Sequence, residues 1–111
     1  MNCKMEIQGN VAVVVIQEKR LDARLANDFK KYVQGLVAEG YTNLLLDLGE
    51  VQFVDSSGLG ALVSNLKSVG SDGELELCSV NAPVQSLLKL TRLDRVFTVY
   101  KDRAEALGVS S

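Results

Sequence analysis

The run Asn43 to Leu48, NLLLDL, is apolar at successive positions and too short for an ordinary helix. Such a run suits a strand covered on both faces, and therefore one near the centre of a sheet. The β-branched run Val11 to Ile16 favours extended structure too, and the turn signal QGN separates it from Met5 to Ile7. These two pieces are expected to pair as a hairpin. After the hairpin, Asp22 offers a carboxylate to exposed N–H groups at a helix start, and Leu25, Phe29, Tyr32, Val33, Leu36 and Val37 recur at helical spacing up to Gly40. Gly35, inside that helix, is read as a close approach to a neighbouring element.

A second helix carries Leu59, Leu62, Val63, Leu66 and Val69 on one face, which reads as core, and runs out at Gly70. ELELCSV, residues 74 to 80, alternates as a strand. Pro83 is preorganised for the first turn of a helix bearing Val84, Leu87, Leu88 and Leu90. Phe97 to Tyr100 reads as a short strand, and a last helix from Asp102 to Leu107 stops at Gly108. Strands alternating with helices after an opening hairpin imply an α/β unit with a mixed sheet, parallel where helices make the crossovers. Binding in such folds commonly lies beyond the carboxyl ends of parallel strands, and residues 53 to 58 form one of those loops. With 111 residues, 47% of them apolar, one core can be built but not two, so residues 1 to 111 are expected to form a single domain.

Twelve basic residues against fourteen acidic ones give a net charge of -2 without blocks of like charge, which argues against a general nucleic-acid binder. Val11 to Ile16 is the longest apolar run, far short of the roughly 20 residues that span a bilayer, and no signal-peptide pattern precedes it. A cytoplasmic protein without membrane partners is expected. Cys3 and Cys78, in apolar strand-like settings, read as buried thiols rather than a disulfide. The chain contains no histidine, so no Ser-His-Asp hydrolase can be assembled within it. Two distant cysteines and scattered carboxylates do not supply a zinc site either. No catalytic residue, metal ligand or cofactor is expected.

The segment FVDSSGLGALV, residues 53 to 63, is open to three readings. Asp55, Ser56 or Ser57 can simply cap a helix whose glycines allow tight packing. A nucleotide loop is a second reading, although the third glycine of a dinucleotide fingerprint and the G-K-[ST] of a P-loop are absent. The third is a switch, in which a phosphate on serine adds about -1.5 to -2 charge beside unsatisfied N–H groups.

FVDSSGLGALV resembles the signature of anti-sigma factor antagonists, bacterial members of the STAS (sulfate transporter and anti-sigma factor antagonist) domain family. The likeness extends over nearly the whole chain, through LDARLANDFKKYV, NLLLDLGEVQFVDSSGLGAL, GELELCSV, VQSLLKLTRLDRVF and the closing EALGVSS, in that order. It implies a mixed sheet of four or five strands with about four helices. It also implies a partner-switching cycle: the unphosphorylated protein binds an anti-sigma factor of the Bergerat-fold ATPase type and so frees a sigma factor. That anti-sigma factor is also a serine kinase that uses Mg-ATP, and the residue aligned with its target is Ser57, with Ser56 as the competing acceptor. A metal-dependent serine phosphatase resets the cycle, so the chain is a substrate and not an enzyme.

In that scheme Asp55 orients the loop or bonds the partner, Ser56 and Ser57 face it, and Gly58 and Gly60 keep the surface low for its approach. Asp22 is expected beside Ser57, since both precede helices at one end of the sheet; a plain N-cap is its other reading. One departure stands out. Many members carry glycine two residues before the leucine of L-D, where this chain has Lys19 in KRLD. Two other functional classes remain open: a STAS accessory subunit of a lipid transporter or stress-sensing complex, and a nucleotide-binding or weakly hydrolytic protein.

Overall fold

The computed structural model describes residues 1–108. Strands β1 (Cys3–Gln8) and β2 (Val11–Ile16) form the expected antiparallel hairpin. β4 (Asn43–Asp47) lies parallel to β2, β6 (Glu74–Cys78) parallel to β4, and β7 (Val99–Tyr100) parallel to β6, in the order β1-β2-β4-β6-β7. The NLLLDL segment is therefore the middle strand. Helices α1 (Ala26–Ala38), α2 (Ser56–Val69), α3 (Ala82–Leu90) and α4 (Arg103–Leu107) complete this α/β fold, with one 3₁₀ turn at Leu93–Arg95.

Alternation along the strands splits the interior in two. On one face Val14, Ile16, Leu44, Leu46 and Leu77 pack with Phe29 and Val33 of α1, Leu62 of α2 and Val84 and Leu88 of α3. On the other, Val13, Leu45 and Cys78 lie with Ala106 and Leu107 of α4. A helix as short as α4 does not hold itself together in water. Arg103 ties it down, donating from Nε to Asp47 Oδ2 at 2.8 Å and from Nη1 to Glu6 Oε2 at 2.9 Å.

Several boundaries differ from the sequence reading. α1 begins at Ala26, and Gly35 within it is exposed, with nothing within 4 Å of where a Cβ would stand. No neighbour approaches there, so that expectation is wrong. β6 ends at Cys78 because Ser79 turns the chain at φ 59°. The last strand is only Val99–Tyr100: Phe97 is buried before it, its N–H bonded to Leu93 O of the 3₁₀ turn. Leu90 is 82% exposed and takes no part in the core. Cys3 and Cys78 are free thiols. Three strand spacings, roughly 14 Å, separate their strands, which is beyond the ~7 Å reach of a disulfide.

One polar side chain breaks the pattern. Asn65 of α2 is fully buried, and neither its Nδ2 nor its Oδ1 has a partner among the described residues. An unmet buried amide costs about 1–3 kcal/mol. Asn65→Leu is expected to raise unfolding stability by about 1–2 kcal/mol in urea titrations, with an unchanged m-value.

Burial raises the thiols of Cys3 and Cys78 from the ordinary 9.0 to about 11. The folded state thus retains protons that the unfolded chain releases, which makes stability fall as pH rises from about 9 toward 11. Urea midpoints at pH 8 and pH 10 test this, and a chain carrying Cys3→Ala and Cys78→Ala should lose less between the two.

Candidate functional site

The loops following β2 and β4 are joined by a small second sheet that the sequence reading did not anticipate. β3 (Arg20–Leu21) runs parallel to β5 (Phe53–Val54), with Arg20 opposite Phe53 and Leu21 opposite Val54. Lys19 O accepts from Gln52 N at 2.8 Å and Phe53 N at 3.2 Å, and Leu21 O accepts from Asp55 N at 3.1 Å. The register sets R-L-D beside F-V-D. That repeated apolar-Asp pair was the available signal, too short to distinguish from chance.

Asp55 settles which residue caps α2. Its backbone is extended at φ -94°, and its Oδ1 accepts from Gly58 N at 2.8 Å. Its Oδ2 accepts from Ala23 N at 3.2 Å, so one carboxylate binds the start of α2 and the loop before α1. Ser56 and Ser57 are thereby released from capping. Both are exposed in the first turn, and neither hydroxyl makes a hydrogen bond among the described residues.

Asp22 has a different local task from the N-cap expected as its other reading. It does not cap α1, whose N-cap position is Leu25 without a side-chain bond. Instead it closes the preceding turn: Oδ1 accepts from Arg24 N at 3.1 Å, and its carbonyl accepts from Leu25 N and Ala26 N. Its carboxylate also pairs with Arg24 Nε at 3.2 Å. The contact between this loop and α2 runs through Ala23 and Asp55.

The two glycines of SGLGAL play opposite parts. Gly58 is buried, and a Cβ there would lie 2.9 Å from Val54 Cγ1 and closer still to the Leu21 carbonyl oxygen. It belongs to the packing of α2 on β3 and β5, so its expected place on a partner-facing surface is corrected. Gly60 is exposed, with open space where its Cβ would be. Lys19 does not adopt a positive φ, so the glycine of the usual pattern is dispensable here. Beside it, Arg20 lies over the half-exposed Phe53 ring at 4.7 Å from its centroid, a pairing the sequence reading missed.

Chemically this surface presents hydroxyls and no evident base. Both oxygens of Asp55 are engaged by backbone N–H groups, so that carboxylate is committed to structure rather than free to act as a base for either serine. A concavity of about 320 Å³ lies elsewhere, against Asn10, Asn43, Glu74, Glu76 and Tyr100. Its lining includes neither serine, and a protein partner needs no cleft. No helix among the described residues is long and apolar enough to cross a membrane.

Substitution separates the two glycines. Gly58→Ala should destabilise the fold by about 1–3 kcal/mol through overpacking against Leu21 and Val54. Gly60→Ala should leave it unchanged or stabilise it by up to about 1 kcal/mol. Chemical unfolding of both variants measures the contrast.

The STAS domain family matches residues 2–106. A Thermotoga neapolitana protein provisionally named an anti-sigma factor antagonist is 39% identical over 97 residues, 86% of each chain. The anti-sigma F factor antagonist of Paenibacillus polymyxa is 29% identical over 113 residues, covering 96% of this chain and 94% of that one. A crystal structure of a Thermotoga maritima protein, also provisionally named an anti-sigma factor antagonist, superposes with a TM-score of 0.85 at 34% identity, covering 96% of this chain and 92% of that one. A match from residue 2 to residue 106, with the five-stranded sheet and four helices already described, establishes that this chain belongs to the STAS domain family.

Proposed function

We propose that this protein is an anti-sigma factor antagonist whose binding to an anti-sigma factor is turned off by phosphorylation of Ser57. The observation that carries this reading is the division of labour at the start of α2. Asp55 takes the cap, so the serines are not needed for the helix, and they stay exposed with unbonded hydroxyls. The Thermotoga and Paenibacillus relatives, named as antagonists of anti-sigma factors, support the same partner class.

The phosphoryl donor is Mg-ATP, which leaves as ADP, held by a serine kinase of the Bergerat-fold ATPase type that is identical with the anti-sigma factor; a metal-dependent phosphatase removes the group by hydrolysis. This chain supplies the acceptor oxygen and no catalytic group. Ser56, Asp55 and Gly60 contribute to the contact surface, and Asp22 shapes it through the 22–25 turn. The cycle takes place in the cytoplasm. A phosphate adds about -1.5 to -2 charge. Carried into an interface that has no partner for it, that charge costs several kcal/mol.

Affinity capture from the native host with wild type and Ser57→Asp, followed by binding measurements on the recovered anti-sigma factor, tests the reading. Wild type and Ser57→Ala should bind alike, Ser57→Asp should bind at least about tenfold more weakly, which is about 1.4 kcal/mol, and Ser57→Ala should not be phosphorylated. Phosphorylation that persists in Ser57→Ala and disappears in Ser56→Ala would move the site to Ser56. A transporter or stress-complex subunit held equally by wild type and Ser57→Asp would replace the proposal with a fixed accessory role.

A further inference from the structure

Resting on the reading that Ser57 carries the phosphate, we infer that Arg24 receives that phosphate within the same chain, with Arg20 and Lys19 as supporting cations. The loop bearing Arg24 is fastened to the start of α2 by the 3.2 Å bond from Ala23 N to Asp55 Oδ2. Arg24 follows Ala23 directly on one side of that contact, and Ser57 stands two residues past Asp55 on the other.

The carboxylates nearby are already committed. Asp55 uses one oxygen for Gly58 N and the other for Ala23 N. Asp22, its side chain only 17% exposed, holds the Arg24 guanidinium through Nε alone. The two Nη groups of Arg24 have no partner among the described residues, and its side chain is 74% exposed. A guanidinium gripped at Nε still presents its Nη1/Nη2 edge, which matches two phosphate oxygens. Asp22 is thus a positioning residue, aiming a fork that it does not fill.

Arg20 and Lys19 enlarge the positive surface. Arg20 is stacked on Phe53 and Lys19 forms no ion pair among the described residues, so the chain's own acids neutralise neither. A dianion on Ser57 would be drawn into this patch. Phosphorylation then alters two things at once: it places negative charge on the contact surface and occupies the cations that an acidic group of a partner would otherwise meet. The chain itself stays folded because the new charge is compensated internally.

The test uses the full chain with phosphoserine incorporated at position 57 during synthesis, and follows the second ionisation of the phosphate by ³¹P NMR at low ionic strength. Cations favour the dianion, so this ionisation should lie below its ordinary value of about 6. Arg24→Gln should raise it by about half to one unit, whereas Arg24→Lys should raise it less. Lys67→Gln, in the last turn of α2, should leave it in place. Equal values in the wild-type background and Arg24→Gln overturn the inference, as does an equal shift from Lys67→Gln. Because the phosphate is installed without a kinase, this outcome is independent of whether Ser57 is the kinase's choice. Conversely, a flat titration leaves the binding experiment with Ser57→Asp untouched.

Discussion

The functional end of this fold depends on one carboxylate. Asp55 joins the first turn of α2 to the loop before α1, and its own N–H is held by Leu21 O. Two loops emerging from different strands of the main sheet are thereby fixed against each other. Each of these bonds is worth only about 0.5–1.5 kcal/mol net. Their importance lies in position: without them, the two-residue strands β3 and β5 are too short to maintain their pairing in water.

The approach to that carboxylate is held equally closely from behind. Leu48 and Val51 are fully buried, while Gly49 N donates to Asp47 Oδ1 at 2.9 Å. Asn81 Nδ2 reaches both Gly49 O and Val51 O at 2.9 Å. Asp47 also accepts Arg103 from α4 on the second face of the sheet. One aspartate at the end of the central strand therefore shares its oxygens between the loop that leads to Ser57 and the only helix packed on the opposite face among the described residues. Loops held in this way leave little backbone ordering to be done on binding.

The parts of the fold that were legible in the sequence are those where periodicity and burial coincide. NLLLDL reads as a central strand because Leu44 and Leu45 are buried on opposite faces. The stripe of α2 reads as core because Leu62 and Val69 are covered, although Asn65 occupies the same face unannounced. The β3–β5 pairing was not legible: two residues on each side produce no period. At the site, Ser57 and Gly60 are exposed and Asp55 is half-buried, but Gly58 is buried. Glycine in a sequence signals a missing side chain without saying which side needs the room. The N-cap reading of Asp22 failed for a related reason, since a carboxylate suited to a helix start is equally suited to the turn three residues earlier.

Gly58 and Ser57 show how two demands are met in adjacent residues. Packing α2 onto β3 requires that its third residue lack a side chain, because the Leu21 carbonyl occupies that space. The residue before it points away from the same contact and is exposed. An α-helix turns about 100° per residue, so adjacent residues can face a packed side and an open one, as Gly58 and Ser57 do. The cap completes the arrangement. With Asp55 meeting the Gly58 N–H, neither serine hydroxyl is required by the helix. Stability at this end of the molecule thus rests on Asp55 and Gly58 rather than on the serine hydroxyls.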